Sequence, residues 1–569
     1  MLDLKIKGAS VIDGAGGPAR TADVGVKDGR IVEVGPRGSA AARTIAAEGL
    51  VCAPGWVDIH THYDGQVCWD QELAPSSWQG VTTVVMGNCG VGFAPVRQGA
   101  QAFLISLMEG VEDIPGTALH EGVGFEWESF PEYLDAIDRP YAVDVGAQAA
   151  HGAFRAYVMG ERAQTLEAAT PEEAELQGRL AEAAIRAGAL GFTTSRTMLH
   201  RAKTGDHVPS YHATRMELAE IAKGMARAGA GVFEWISDFG DMAEEFGLIE
   251  TVARISGRPV TFSLMQADQR PTMWREMLAR IDRAQGAGLD VRAQVAGRPV
   301  GILLGLEGSI HPFVAHPSYR EIADLPLAER VRRLRAPEFR ARLLSEAPGL
   351  RNDLARFIFS AFGKMFPLGN PPVYEPSRER SVAAQALREK RPPAEVALDL
   401  MLEEEGRAFL YFPLFNFTEG DLENARIMMT HPHTVFGLGD GGAHVGTICD
   451  GSFPTFMASW WGRDRPHGRL PLEWIVMKQT RETARAVGLN DRGVIAPGYR
   501  ADLNLIDFPA LAARAPEIAY DLPAGGKRLV QRADGYVASI CAGEVTFENG
   551  AATGARPGRL VRGAQAFAS

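Results

Sequence analysis

The sequence predicts an α/β fold, a TIM-type (β/α)8 barrel with a small β-sandwich built from both chain termini. Three observations lead there. Residues 1–52 alternate as short strands punctuated by Gly and Asp, as in "LDLKIKGASVIDG" and "ADVGVKDGRIVEVG". From residue 53, apolar strand-like runs alternate with longer amphipathic helical patterns, the signature of a parallel sheet. After residue 490 the short strands return, with Gly and Asn turns, as in "GYVASICAGEVTFENG".

In chain order, eight runs read as barrel strands: 54–62, 80–88, 141–150, 188–195, 230–237, 258–265, 288–296 and 434–440. Helical segments follow most of them. "PEEAELQGRLAEAAIRAG", "TRMELAEIAKGMARAG" and "MAEEFGLIETVARIS" carry apolar residues at helical spacing, the first two with Gly at the end. Eight such units favour a closed barrel over a doubly wound sheet. The domains expected are a sandwich from 1–52 and 490–569 and a barrel over 53–489. One connection, between the seventh and eighth runs, is far too long for a loop and predicts a helical insertion at about 300–430. Its segments "LAERVRRLRAPEFRARLLSEA" and "SVAAQALREKRPPAEVALDLMLEEEG" read as charged amphipathic helices. It leaves the barrel at the C-terminal face, where active sites form. A lid over the site is one reading, and a stabilising or dimerising appendage is the other.

Composition narrows the function classes. The chain has 569 residues, 46% of them apolar, enough for a deep core. A formal charge of −11 argues against nucleic acid or acidic lipid as a partner. No apolar run reaches the roughly 18 residues a membrane span needs, and the N-terminus lacks the pattern of a signal peptide. Five scattered cysteines imply no disulfide framework, so a cytoplasmic location is expected. A homo-oligomer is left open.

The chemistry begins at "APGWVDIHTHYDG", residues 53–65. Residues i and i+2 of a strand point to the same side, so His60 and His62 project together from the end of the first strand. A barrel gathers its strand ends around one mouth. The second run ends "MGNCGVG", which brings Cys89 there, and the eighth ends "GLGDGGAHVG", which brings Asp440 and His444. Two imidazoles, a thiolate and a carboxylate form a plausible zinc set, because borderline-soft Zn²⁺ accepts N, S and O donors. Asp64 is placed to orient a ligand.

"APGWVDIHTH", "GVTTVVMGNCG", "GLGDGGAH" and "RGVIAPGYRADLNLIDF", in that order, resemble the amidohydrolase superfamily, and within it the N-acyl-D-amino-acid deacylase (D-aminoacylase) group. The resemblance covers essentially the whole chain. It implies that Cys89 is a metal ligand in place of a carboxylated lysine, and that Asp440 both ligates metal and acts as the catalytic base. The family also supplies histidines from the fifth and sixth strands. Here those strands read "GVFEWISDF" and "PVTFSLMQ", with Glu234, Asp238 and Gln266 as the only obvious polar candidates. One Zn²⁺ per chain is therefore expected, held by His60, His62, Cys89 and Asp440.

The implied function is metal-dependent hydrolysis of the amide of N-acyl (D-) amino acids or similar small amides, with a metal-activated water whose proton passes to Asp440. Hydrolysis of a cyclic or other small amide by the same chemistry is the alternative. A non-catalytic small-molecule-binding barrel is the alternative of another class. Five residues near the mouth are expected to contact substrate. His151 and His444 are candidate donors, and His207 lies on the loop after the fourth strand. Arg196 and Arg298 could clamp a carboxylate, or pair with loop acids. His431 and His433 precede the eighth strand and are expected to be structural, at the opposite end.

Overall fold

The computed structural model describes residues 1–36, 38–349 and 353–568. All eight expected barrel strands form: Trp56–Asp58, Val81–Met86, Asp144–Ala150, Gly191–Arg196, Val232–Ser237, Val260–Ser263, Val291–Val295 and Thr434–Phe436. They lie side by side in chain order, each parallel to its neighbours. The first and eighth meet just beyond their regular stretches. The Asp440 N–H donates to His60 O at 2.9 Å and the His62 N–H to Gly441 O at 2.8 Å. A parallel bridge between Thr61 and Gly441 completes the closure.

The crossover helices form where the apolar spacing places them, at Pro171–Ala187, Arg215–Ala228 and Met242–Ser256. Thr170, Thr214 and Asp241 cap their N-termini with side-chain oxygens, which satisfies backbone N–H groups the helix leaves open. Their apolar faces, with Ile185, Ile221, Met225, Ile249 and Val252, pack against the strands in one large core.

Strands from both termini join one nine-stranded sheet that closes over its own apolar cluster, including Ile6, Val11, Val24, Leu503 and Ile540. The C-terminal block departs from the expectation in two places. Residues 512–534 leave the sheet as short hairpins, and the Leu529 N–H reaches Val445 O at 2.6 Å beside the barrel mouth. The tail returns to the barrel, where Leu560 bridges Val145 of the third strand.

Between the seventh and eighth strands lie a three-stranded antiparallel sheet (Gly301–Leu304, Phe366–Pro367, Leu410–Pro413) and a group of helices with a separate apolar core. Pro337 splits the first predicted helical stretch into Leu327–Arg335 and Pro337–Ser345, because it cannot donate to a continuing helix. The insertion rests on the loop after the eighth strand, through Leu303 N–H to Thr447 O at 2.8 Å and Ser309 N–H to Gly446 O at 2.9 Å. Among the described residues, no helix is long and apolar enough to cross a membrane.

Candidate metal centre

The extended backbone through Thr61 keeps His60 and His62 on one side of the first strand. Their rings stand edge to face at 5.5 Å. Cys89 reaches them from a tight turn, Asn88–Gly90, that follows the second strand. Its own φ is 55°, flanked by Gly87 and Gly90 at 84° and 67°. A Cβ on Gly87 would run into the carbonyl oxygen of Gln148, so only glycine lets the turn sit this close to the third strand.

Donor atoms of His60, His62 and Cys89 all lie within 4.8 Å of one another. His60 Nε2 is 3.3 Å from Cys89 Sγ and 3.4 Å from Asp440 Oδ1. His62 Nε2 is 3.7 Å from the same Asp440 oxygen. These three separations fall within the roughly 3.3–3.7 Å expected between ligands of a zinc ion held by bonds of about 2.0–2.3 Å, and Asp440 adds its carboxylate beside the three donors that lie within 4.8 Å of one another. The residues present fit a zinc ion.

Neighbours set the direction of each ring. Gln294, on the seventh strand, donates its amide to Thr261 Oγ1 at 3.1 Å and turns Oε1 toward His60 Nδ1 at 2.8 Å. His60 Nδ1 thus carries the proton, and the Nε2 lone pair faces Cys89 and Asp440. Glu112 plays the matching part for His62, with Oε1 3.0 Å from Nδ1. Glu234, on the fifth strand, accepts the Cys89 N–H at 3.0 Å through Oε2.

Charge follows from burial and these contacts. Burial lowers His60. Burial would lower His62 as well, but the Glu112 carboxylate, Asp440 and Cys89 hold it well above its ordinary value. Burial opposes ionisation of Asp440, yet the hydrogen bond from His62 and the two imidazoles bring it down to about 2. Burial pushes Asp58 and Asp64 up to about 7, Glu234 up to about 8, and the Cys89 thiol up further. So many carboxyl groups around one buried point favour a cation there.

The remaining expected residues divide. His444 stands at the rim, with Nε2 3.9 Å from Glu112 Oε2. His207 stacks on Tyr211 at 4.2 Å and sits 3.1 Å from an Arg201 nitrogen, on the exposed loop. The other three are engaged by protein groups. His151 is fully buried, with Nδ1 2.8 Å from Thr194 Oγ1 and Nε2 3.0 Å from Glu217, so neither nitrogen is left for a substrate. Arg196 forks onto Glu245 at 2.7 and 3.0 Å. Arg298, also buried, is held by Asp450 at 2.6 Å, Ser452 at 2.9 Å and the Tyr374 ring. Arg196 is thus paired with an acid of the helix Met242–Ser256 and Arg298 with an acid of the loop after the eighth strand. His431 pairs with Asp282 at 3.3 Å. Asp238 is taken by Thr197 and the Met198 N–H, and Gln266 by Glu419 and Pro271 O. Of the three polar candidates on the fifth and sixth strands, Glu234 alone touches the cluster.

Sequence reasoning missed Glu112 and Gln294. His200 is buried, 2.9 Å from Ser195 Oγ, and burial lowers it to about 4. Glu112 did carry a signal. It stands four residues after Met108 and eight after Leu104, an acid on the buried stripe of an apolar helix.

Comparison with known proteins agrees with this architecture. The model of the Amidohydrolase family matches residues 43–547. D-aminoacylase of Alcaligenes xylosoxydans xylosoxydans is 28% identical over 568 residues, covering 98% of this chain and 97% of that protein. N-acyl-D-glutamate deacylase of the same organism is 32% identical over 305 residues, covering 52% of this chain and 57% of that protein. Among solved structures, a D-aminoacylase described by its binuclear metal centre, with one-metal activation and second-metal attenuation, is 25% identical with a TM-score of 0.66. It covers 99% of this chain and 100% of that one.

Proposed function

This chain belongs to the amidohydrolase family, and from that premise we propose that it hydrolyses the amide bond of N-acyl-D-amino acids with one zinc ion held by His60, His62, Cys89 and Asp440. The observation that carries the reading is that His60 Nε2 lies 3.3 Å from Cys89 Sγ and 3.4 Å from Asp440 Oδ1, with His62 Nε2 3.7 Å from the same carboxylate oxygen. The D-amino-acid part comes from the relatives, a D-aminoacylase and an N-acyl-D-glutamate deacylase. A single ion is favoured because, of Glu234, Asp238 and Gln266, Asp238 and Gln266 are engaged elsewhere and Glu234 meets the cluster through Oε2 on the Cys89 N–H. The five free cysteines support a cytoplasmic setting.

Bound there, the ion supplies Lewis acidity, which activates water and polarises the scissile carbonyl. The chain does the rest. Asp440 is ionised and has one oxygen beside both imidazoles, so it is placed to take the proton of the attacking water and return it to the leaving nitrogen. Gln294 and Glu112 keep the two histidines turned the right way. The insertion is seated on the loop at Gly446 and Thr447, beside the site.

The test is elemental analysis of native protein and His60→Ala, with hydrolysis of N-acetyl-D- and N-acetyl-L-amino acids measured on the same samples. One zinc per native chain and D-selective hydrolysis, both lost in the variant, is the expected result. Two metals per chain would overturn the single-ion reading. No metal and no turnover would put the binding barrel ahead.

A further inference from the structure

We propose that Glu112 is a positioning residue for the reaction, a single carboxylate that sets His62 behind the metal and ties His444 to the same point. The proposal rests on the metal-site reading above. Glu112 closes the helix Gln101–Glu112 and is 1% exposed. Its Oε1 lies 3.0 Å from His62 Nδ1 and its Oε2 3.9 Å from His444 Nε2. Its backbone oxygen accepts the Val445 N–H at 3.1 Å, so the helix end also holds the loop that follows Asp440.

Nothing structural accounts for an acid here. The helix C-terminus carries partial negative charge, which disfavours a carboxylate. Among the described residues its ion-pair partners are the two histidines, with no Lys or Arg. Oε2 is buried without a hydrogen-bond partner. Packing would be served better by leucine, in line with Leu104 and Met108. What the acid does is fix the ring of His62. With Oε1 paired to Nδ1 at 3.0 Å, Nε2 is left toward the Asp440 side of the cluster. His62 comes from the first strand and His444 from the loop after the eighth, so one side chain joins both sides of the barrel seam.

The test uses Glu112→Leu, which keeps the packing, and Glu112→Gln, which keeps shape and an acceptor without the charge. Zinc affinity is measured by competition with a chromophoric chelator, alongside the melting temperature of zinc-free protein and kcat and KM for an N-acetyl-D-amino acid. Glu112→Leu is expected to lose about 10–100-fold in zinc affinity, with a zinc-free melting temperature at or above that of the native chain. Glu112→Gln is expected to lose less, while lowering kcat. A zinc-free protein that melts earlier but binds zinc as tightly as native would make the residue merely structural and overturn the proposal. Should Glu112→Leu fail to fold, Glu112→Gln decides: unchanged zinc affinity and kcat overturn it. A native chain that binds no zinc brings down the metal reading, and this proposal with it. A native chain that binds zinc with variants that do so equally well brings down this proposal alone.

Discussion

Asp440 and Cys89 both sit in the left-handed region of backbone space, at φ 46° and 55°. Non-glycine residues persist there when their surroundings over-determine them, and such strain clusters at functional sites. For Asp440 the surroundings are its N–H on His60 O and its carboxylate beside both rings. Asp440→Asn keeps the shape and removes the carboxylate proposed to accept the proton. It should lower kcat by about 10²–10⁴-fold while leaving zinc measurable by elemental analysis. An Asn variant with native kcat would assign the base elsewhere. The four donors were legible in the sequence because each stands at the end of a strand, and strand ends converge in a barrel. For the arginines, pairing with an acid was one of two open readings, but which acid was not legible. Arg196 finds Glu245 across 49 residues of sequence and Arg298 finds Asp450 across 152, distances at which a linear pattern says nothing about pairing.

At the scale of elements, the turn after the second strand bears the greatest constraint. Gly87→Ala would place a methyl group against the Gln148 carbonyl at a φ of +84°. The expected outcome is a loss of at least about 2 kcal/mol in urea unfolding, with reduced zinc content because Cys89 shifts. The insertion gives a different prediction. Burial lowers His311 to about 3, and its Nδ1 accepts the Phe313 N–H at 3.2 Å. Below pH 6.5 the unfolded chain takes up a proton that the folded chain refuses. Stability therefore falls as pH drops from about 6.5 toward 3, by about 1.4 kcal/mol per unit from this site, and is unaffected above 6.5. His311→Asn keeps the acceptor and should flatten that acid limb by about one proton, as read from stability at pH 7 and pH 5. The amphipathic helices of this insertion were legible from their periodicity. Their separate core and their seat on the eighth-strand loop were not, because both depend on contacts between distant segments.

Across the whole molecule, buried charge joins the terminal segments to the barrel. Asp144, at the start of the third strand, receives Arg492 at 2.6 Å and Arg500 at 2.8 Å. Arg492 also holds Asp491 at 2.9 Å and Thr83 at 3.0 Å. Arg492→Met leaves these buried acids short of a partner and should cost about 3 kcal/mol, seen as a lower melting temperature with native metal content. The barrel seam has a further consequence, one of timing. His60, His62 and Cys89 leave the ribosome early, but the eighth strand and the Asp440 beyond it follow only after the insertion has been made. Closing the ring between residues 62 and 440 is a contact of very high sequence separation, which folds late. The nascent chain thus exposes two imidazoles and a thiol long before their carboxylate partner arrives. On the proposed zinc site, a chain truncated before residue 434 lacks Asp440 and should lose zinc to a chelator faster than the full chain.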